Sequence, residues 1–250
     1  MEGQSQKSFK LKFNQQLYDY WKNTGGRLLK FTKIDCCGIE KIVEDAPAVL
    51  TPNHLNWKDI FLTASMIRRP INFVASFTLF DKHACYKLLD KHFQKYAKYP
   101  ALKNVVNRFN NFLANFLADR VKNLGTIPAK MDMPGSNFIE ILTEAFQENK
   151  LVCIFPEGGI ASPGRLRRFK LGVAKILYDY YLEYHQSIPA YPIGITGTHK
   201  FYYPGMKVGF HVGSPLFIEE FIQSSERQTL STFIKELQNA VFHLIHSKEY

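Results

Sequence analysis

Asn53-His54-Leu55-Asn56-Trp57-Lys58-Asp59 is the stretch from which the rest of the chain can be read outward. A short apolar run, Ala48 to Leu50, leads into it and reads as a buried strand. Pro52 blocks continuation of that strand. Beyond the stretch, Ile60, Phe61, Ala64 and Ile67 recur at helical spacing, which predicts a helix over 59–68. His54 and Asp59 therefore stand on a turn where a strand hands over to a helix, a place where a rigid scaffold positions an adaptable loop. On one straight helix five positions amount to about 500° of rotation, and the two side chains would not share a face. On a turn they can meet. The carboxylate then fixes the imidazole tautomer, and the second ring nitrogen is left to take a proton from a hydroxyl. The chain has no Gly-x-Ser-x-Gly and no evident serine or cysteine nucleophile to complete a triad. A His–Asp pair alone suits direct attack by a substrate hydroxyl on an activated acyl group. The plainer alternative is that His54 bonds a backbone carbonyl and Asp59 caps the helix. These residues alone leave both readings open.

Composition narrows the classes. The 250 residues are 46% hydrophobic and 14% aromatic, which supports a substantial core and argues against disorder. The 32 Lys and Arg outnumber the 22 Asp and Glu, for a net charge of +10. That excess favours an anionic partner: membrane lipid, a phosphorylated small molecule or nucleic acid. No zinc-finger or RNA-recognition signature is present, which sets nucleic acid aside. Cys36, Cys37, Cys85 and Cys153 have no zinc-ligand spacing, so no metal site is expected. They read as reduced, cytosolic and mostly buried. The first residues, MEGQSQKSFK, lack the apolar core of a signal peptide, and no run reaches about 18 apolar residues. A peripheral protein on the cytoplasmic side of a membrane is the expectation.

Along the chain, residues 9–31 set Phe9, Phe13, Leu17, Tyr20 and Trp21 beside Lys10, Lys12 and Lys22. A helix here has one greasy face and a cationic rim, as surface-binding helices do, or it simply docks on the core. Gly25-Gly26 is expected to end it. Ile71 to Phe77 reads as a strand, the basic stretch 81–100 as a solvated or anion-facing surface, and 101–118 as an amphipathic helix. A short strand near 124–128, a helix from Phe138 and a buried strand over Leu151 to Phe155 follow. That strand runs into Pro156-Glu157-Gly158-Gly159 and then the cationic loop Arg165-Leu166-Arg167-Arg168-Phe169-Lys170. Arginine forks of this kind suit phosphate oxygens. The helix over 171–184 is expected to turn Leu171, Ala174, Tyr178 and Tyr181 inward. A strand containing Pro192, an alternating strand through Val208, Phe210 and Val212, and a helix over 228–246 complete the chain. Strands alternating with helices predict an α/β fold with a mixed, mostly buried central sheet flanked by helices. The domain expectation is an N-terminal amphipathic helical segment over 1–35 and an α/β domain over 36–250.

The order of these blocks resembles the glycerolipid acyltransferases, whose best-known members are the 1-acylglycerol-3-phosphate acyltransferases. The blocks are Asn-His-x4-Asp, a Gly-x-Ile-Pro segment, Phe155-Pro156-Glu157-Gly158 with its Phe-Lys-x-Gly tail, and an apolar strand with proline. The resemblance spans roughly residues 45–200. It implies His54 as general base and Asp59 as its orienter. The acyl donor would be acyl-CoA or acyl-carrier protein, the acceptor a lysophospholipid at an anionic membrane surface, with no other cofactor. It also implies that Glu157 and Gly158 belong to the acceptor-binding block. Backbone N–H groups near Gly158-Gly159 suit a developing oxyanion, since glycine allows close approach. Arg165, Arg168 and Lys170 suit a substrate phosphate. Two departures stand out. The family's second block usually ends in an arginine that grips the acceptor phosphate, and that position is Met131 here, with Lys130 before it. After Phe-Pro-Glu-Gly the family commonly has Thr, then Arg or Ser; this chain has Gly159 and Ile160. A different lipid acceptor, Lys130 and the basic loop taking over the phosphate, or a non-catalytic lipid- or CoA-binding protein of the same fold all stay open.

Overall fold

Every residue of the strand Ala48–Pro52 is buried, which places the run before His54 in the middle of a sheet. The computed structural model describes residues 11–97, 100–129, 138–162, 165–200 and 205–246. Its elements are α1 (Gln15–Leu29), β1 (Lys33–Cys37), β2 (Ala48–Pro52), α2 (Lys58–Met66), β3 (Ile71–Ser76), α3 (Lys82–Ala97) and α4 (Pro100–Val121). They continue with β4 (Ile127–Ala129), α5 (Phe138–Gln147), β5 (Leu151–Cys153), α6 (Gly172–Tyr184), β6 (Ala190–Thr196), β7 (Lys207–Val212) and α7 (Glu226–His246). The chain forms two compact units, one of residues 19–72 and 143–250, the other of residues 1–18 and 73–142.

The larger unit carries five strands in the order β1-β7-β6-β2-β5. β2 runs parallel to both β5 and β6, β7 is antiparallel to β6, and β1 is parallel to β7, so the sheet is mixed. Leu50, Val152, Cys153, Ile193, Ile195 and Phe210 are all completely buried. Strands covered on both faces read as continuous apolar runs, which is why β2, β5 and β6 were legible without alternation. Pro192, which has no N–H to give, sits just ahead of the antiparallel ladder that β6 makes with β7 from Ile193 onward. α7 packs on β6, with Leu230, Phe233, Leu237 and Val241 buried. In the smaller unit β3 pairs with β4 in parallel, Val74 opposite Ile127, and α3 packs against α4. The expected mixed α/β fold is the observed one.

Three local expectations need correction. Gly25-Gly26 does not end α1, which runs on to Leu29. Gly25 is where α1 meets α2: a Cβ there would lie 2.8 Å from Phe61 Cδ1, while Trp21 stacks on the same ring at 4.2 Å. Close packing outweighs the ~1 kcal/mol that a helical glycine costs. Lys22, read as part of a cationic rim, instead donates from Nζ to the carbonyls of Ile67 (2.6 Å) and Arg68 (3.1 Å) just past the end of α2. On α6 the buried residues are Val173, Ala174, Ile176, Leu177 and Tyr180, whereas Leu171 is 44% exposed. Ala174 is inward as expected and Tyr178 and Tyr181 are half-buried, while Leu171 lies ahead of the helix, which begins at Gly172. The cysteines divide evenly: Cys85 and Cys153 are buried, Cys36 is half-buried and Cys37 exposed. The latter two lie on β1, at the edge of the sheet, where one flank is left open.

Candidate active site

Asn53, directly after β2, decides where the turn points. Pro52 ends the strand opposite Ile193, and the Asn53 side chain then takes over the ladder. Its Nδ2 donates to Ile195 O at 3.0 Å, and Ile195 N–H donates to its Oδ1 at 2.6 Å. The amide is 1% exposed, so both of its bonds are sheltered from water. Asn53→Ala would leave a buried N–H and a buried C=O on β6 without partners. We expect a loss of about 1–3 kcal/mol in unfolding free energy, read by denaturant titration. A change within error would mean that the turn is held by its backbone alone.

The turn brings His54 and Asp59 together. His54 Nδ1 lies 2.9 Å from Asp59 Oδ2. The same oxygen accepts from the N–H of Leu55 at 2.6 Å and of Asn56 at 2.7 Å. Asp59 is completely buried in the first turn of α2, so it both organises the turn and holds the imidazole. An anionic acceptor at Nδ1 keeps the proton there and leaves the lone pair on Nε2. No described residue bonds Nε2. The ring is 13% exposed and stacks on Phe155 at 4.2 Å. Lys58, between Trp57 and Asp59, is buried and donates through Nζ to the carbonyl of Lys200, tying the turn to the segment after β6. Burial pushes its ammonium pKa down, against the pull of Asp59.

Glu157 reaches the same place from the turn beyond β5. It is 1% exposed. Oε1 accepts from His54 N–H at 2.7 Å and Oε2 from Arg167 N–H at 2.9 Å. One carboxylate thus joins the backbone of the histidine to that of the basic loop. Burial pushes the Glu157 carboxyl up, and the two N–H donors with the charges of His54 and Arg167 pull it back. Further backbone ties join the two turns: Ala161 N–H donates to His54 O at 2.7 Å, and Lys170 N–H to Pro156 O at 2.9 Å.

The remaining candidates sort unevenly. Gly158 takes a left-handed backbone, φ 65°, as the turn requires. Its N–H already donates to Phe155 O at 3.0 Å, so the expectation of an oxyanion donor there is corrected. The Gly159 N–H has no acceptor among the described residues. Lys170 brings its Nζ over Gly158. Arg165 and Arg168 are exposed on the loop, with no side-chain hydrogen bond to a described residue. Lys130 and Met131 lie outside the described residues. Arg167, not singled out in the sequence, is the loop residue tied to Glu157. The glycine at 159, where a side chain is usual, was the signal that something else occupies that space.

A family model described as Acyltransferase matches residues 33–196. Among solved structures the chain is similar to the 1-acyl-sn-glycerophosphate (LPA) acyltransferase PlsC from Thermotoga maritima. The identity is 18% and the TM-score 0.59, over 93% of this chain and 81% of that one. At that identity the likeness is one of fold. No curated protein matches the chain by sequence.

Proposed function

The chain belongs to the acyltransferase family, and from that premise we propose that it transfers a fatty acyl group from a thioester, acyl-CoA or acyl-carrier protein, to a hydroxyl of a lysophospholipid. The observation that carries this reading is the His54–Asp59 pair, Nδ1 to Oδ2 at 2.9 Å, with Nε2 left open. In the step, Nε2 takes the proton of the acceptor hydroxyl as its oxygen attacks the thioester carbonyl. The C–S bond breaks, the new ester forms, and the proton passes from Nε2 to the departing thiolate. Asp59 holds the tautomer and offsets the imidazolium charge. Glu157 fixes the backbone of His54 against the basic loop. The Gly159 N–H is the candidate donor to the oxyanion. No cofactor beyond the donor is required.

A peripheral position on the cytoplasmic side of a membrane goes with this reading. Net charge +10 favours anionic lipid. Tyr20, within α1, and Phe31, just past its C-terminal end, are each 67% exposed and offer apolar contact. No helix among the described residues is long and apolar enough to cross a membrane.

The test is an acceptor panel. Purified protein is incubated with labelled long-chain acyl-CoA and, in parallel, with acyl-carrier protein, against lysophosphatidic acid, larger-headed lysolipids and monoacylglycerol. Labelled diacyl product from at least one lysophospholipid is expected. Lipid or CoA binding with no transfer to any acceptor from either donor would favour a non-catalytic carrier of the same fold.

A further inference from the structure

Local physics disfavours a cation at position 58. Lys58 stands in the first turn of α2, at the positive end of the helix dipole, and is 7% exposed. Burying an ammonium is costly, and an apolar side chain of similar volume would fill the space without that penalty. What Lys58 supplies instead is a tie. Its Nζ donates to the carbonyl of Lys200, in the segment that follows β6. In that segment Lys200 N–H bonds back to Gly197 O at 3.1 Å. Thr198 Oγ1 and His199 Nδ1 are buried there with no hydrogen-bond partner among the described residues.

On the near side of the tie stands Asp59. The hydrogen bonds that its carboxylate makes to His54, Leu55 and Asn56 all go to Oδ2. Oδ1 is buried with no partner among the described residues. The direction of the carboxylate, and through it of the imidazole, therefore depends on the backbone of the turn holding still. Asn53 fastens the strand side of that turn to Ile195 on β6, and Lys58 fastens the helix side to Lys200 beyond β6.

We propose that Lys58 is a positioning residue for the base: with Asn53 it pins both ends of the turn, and so keeps Asp59 and His54 in place for proton transfer. What the base does rests on the acyl-transfer reading, while the tie itself is measured without substrate. A misplacement of about 1 Å at a reacting group costs on the order of 10²-fold in rate, so a tie that never touches the imidazole still governs turnover.

Lys58→Met and Lys58→Arg test the assignment. Methionine keeps most of the length and removes donor and charge; arginine keeps both. Hydrogen exchange read by mass spectrometry follows peptides that carry the Leu55 and Asn56 N–H groups and peptides that carry residues 198–200. Lys58→Met should speed exchange in both about tenfold. Its unfolding free energy, from denaturant titration, should be no lower than wild type, because an apolar group replaces a buried ammonium. Its kcat should fall ~10-fold or more with KM little changed, and Lys58→Arg should recover part of the exchange protection and of kcat. A role in the scaffold alone predicts lost stability and faster exchange throughout the chain. That outcome would overturn the assignment, as would wild-type exchange at Leu55 and Asn56 in Lys58→Met, or an arginine variant as loose as the methionine one. A wild type without turnover would count against the acyl-transfer reading and leave the exchange result to decide on Lys58.

Discussion

His54→Ala is expected to lower kcat by ~10²–10⁴-fold with KM little changed, the usual cost of losing a positioned general base. The substitution removes the ring stacked on Phe155 but leaves the His54 backbone N–H bonded to Glu157, so the turn keeps its frame. The reaction is followed by release of the free CoA thiol, with near-ultraviolet circular dichroism as the folding control. Direct transfer further requires that no acyl group remain on the protein in a single-turnover quench. Cys153 offers no alternative nucleophile: it is fully buried, and burial pushes its thiol well above the ordinary range. A folded His54→Ala protein with wild-type turnover would make the imidazole a structural group and remove the basis of the proposed mechanism.

What could be read in advance follows from how local each signal is. β2 was legible because a strand buried on both faces is a plain apolar run. The His54–Asp59 contact was legible as an option, because a strand-to-helix turn can join residues five apart that one straight α-helix would not set on a common face. Glu157 was singled out in the sequence, but not what its two oxygens do. Its partners lie at positions 54 and 167, and no local pattern encodes a carboxylate bridging backbone groups that far apart. Arg167 was lost among its neighbours for the same reason: Arg165, Arg167 and Arg168 look alike in sequence, and only the fold sets one of them over a glycine. The misread end of α1 is a case of tertiary packing overriding a local stop signal, since Gly25 is the contact with Phe61 rather than a cap.

Asp59 carries both readings that the sequence left open, and two substitutions separate them. Its Oδ2 accepts from two backbone N–H groups and from the imidazole, so it is cap and orienter at once. In Asp59→Asn the amide oxygen can take that place, because three donors converge there and the amide NH2 cannot serve them. The turn and the tautomer are then kept, and only the negative charge is lost. The charge matters when the imidazole takes a proton, since it offsets the imidazolium in a buried setting where charges interact strongly. Turnover is therefore expected to fall on the order of 10²-fold or more in Asp59→Asn, with unfolding free energy close to wild type. Asp59→Ala should lose turnover as well and, by stranding the Leu55 and Asn56 N–H groups, about 1–3 kcal/mol of stability. Denaturant titration and thiol release on the same two proteins give both readouts. Wild-type turnover in Asp59→Asn would reduce Asp59 to a helix cap and leave the imidazole to act without a charged partner.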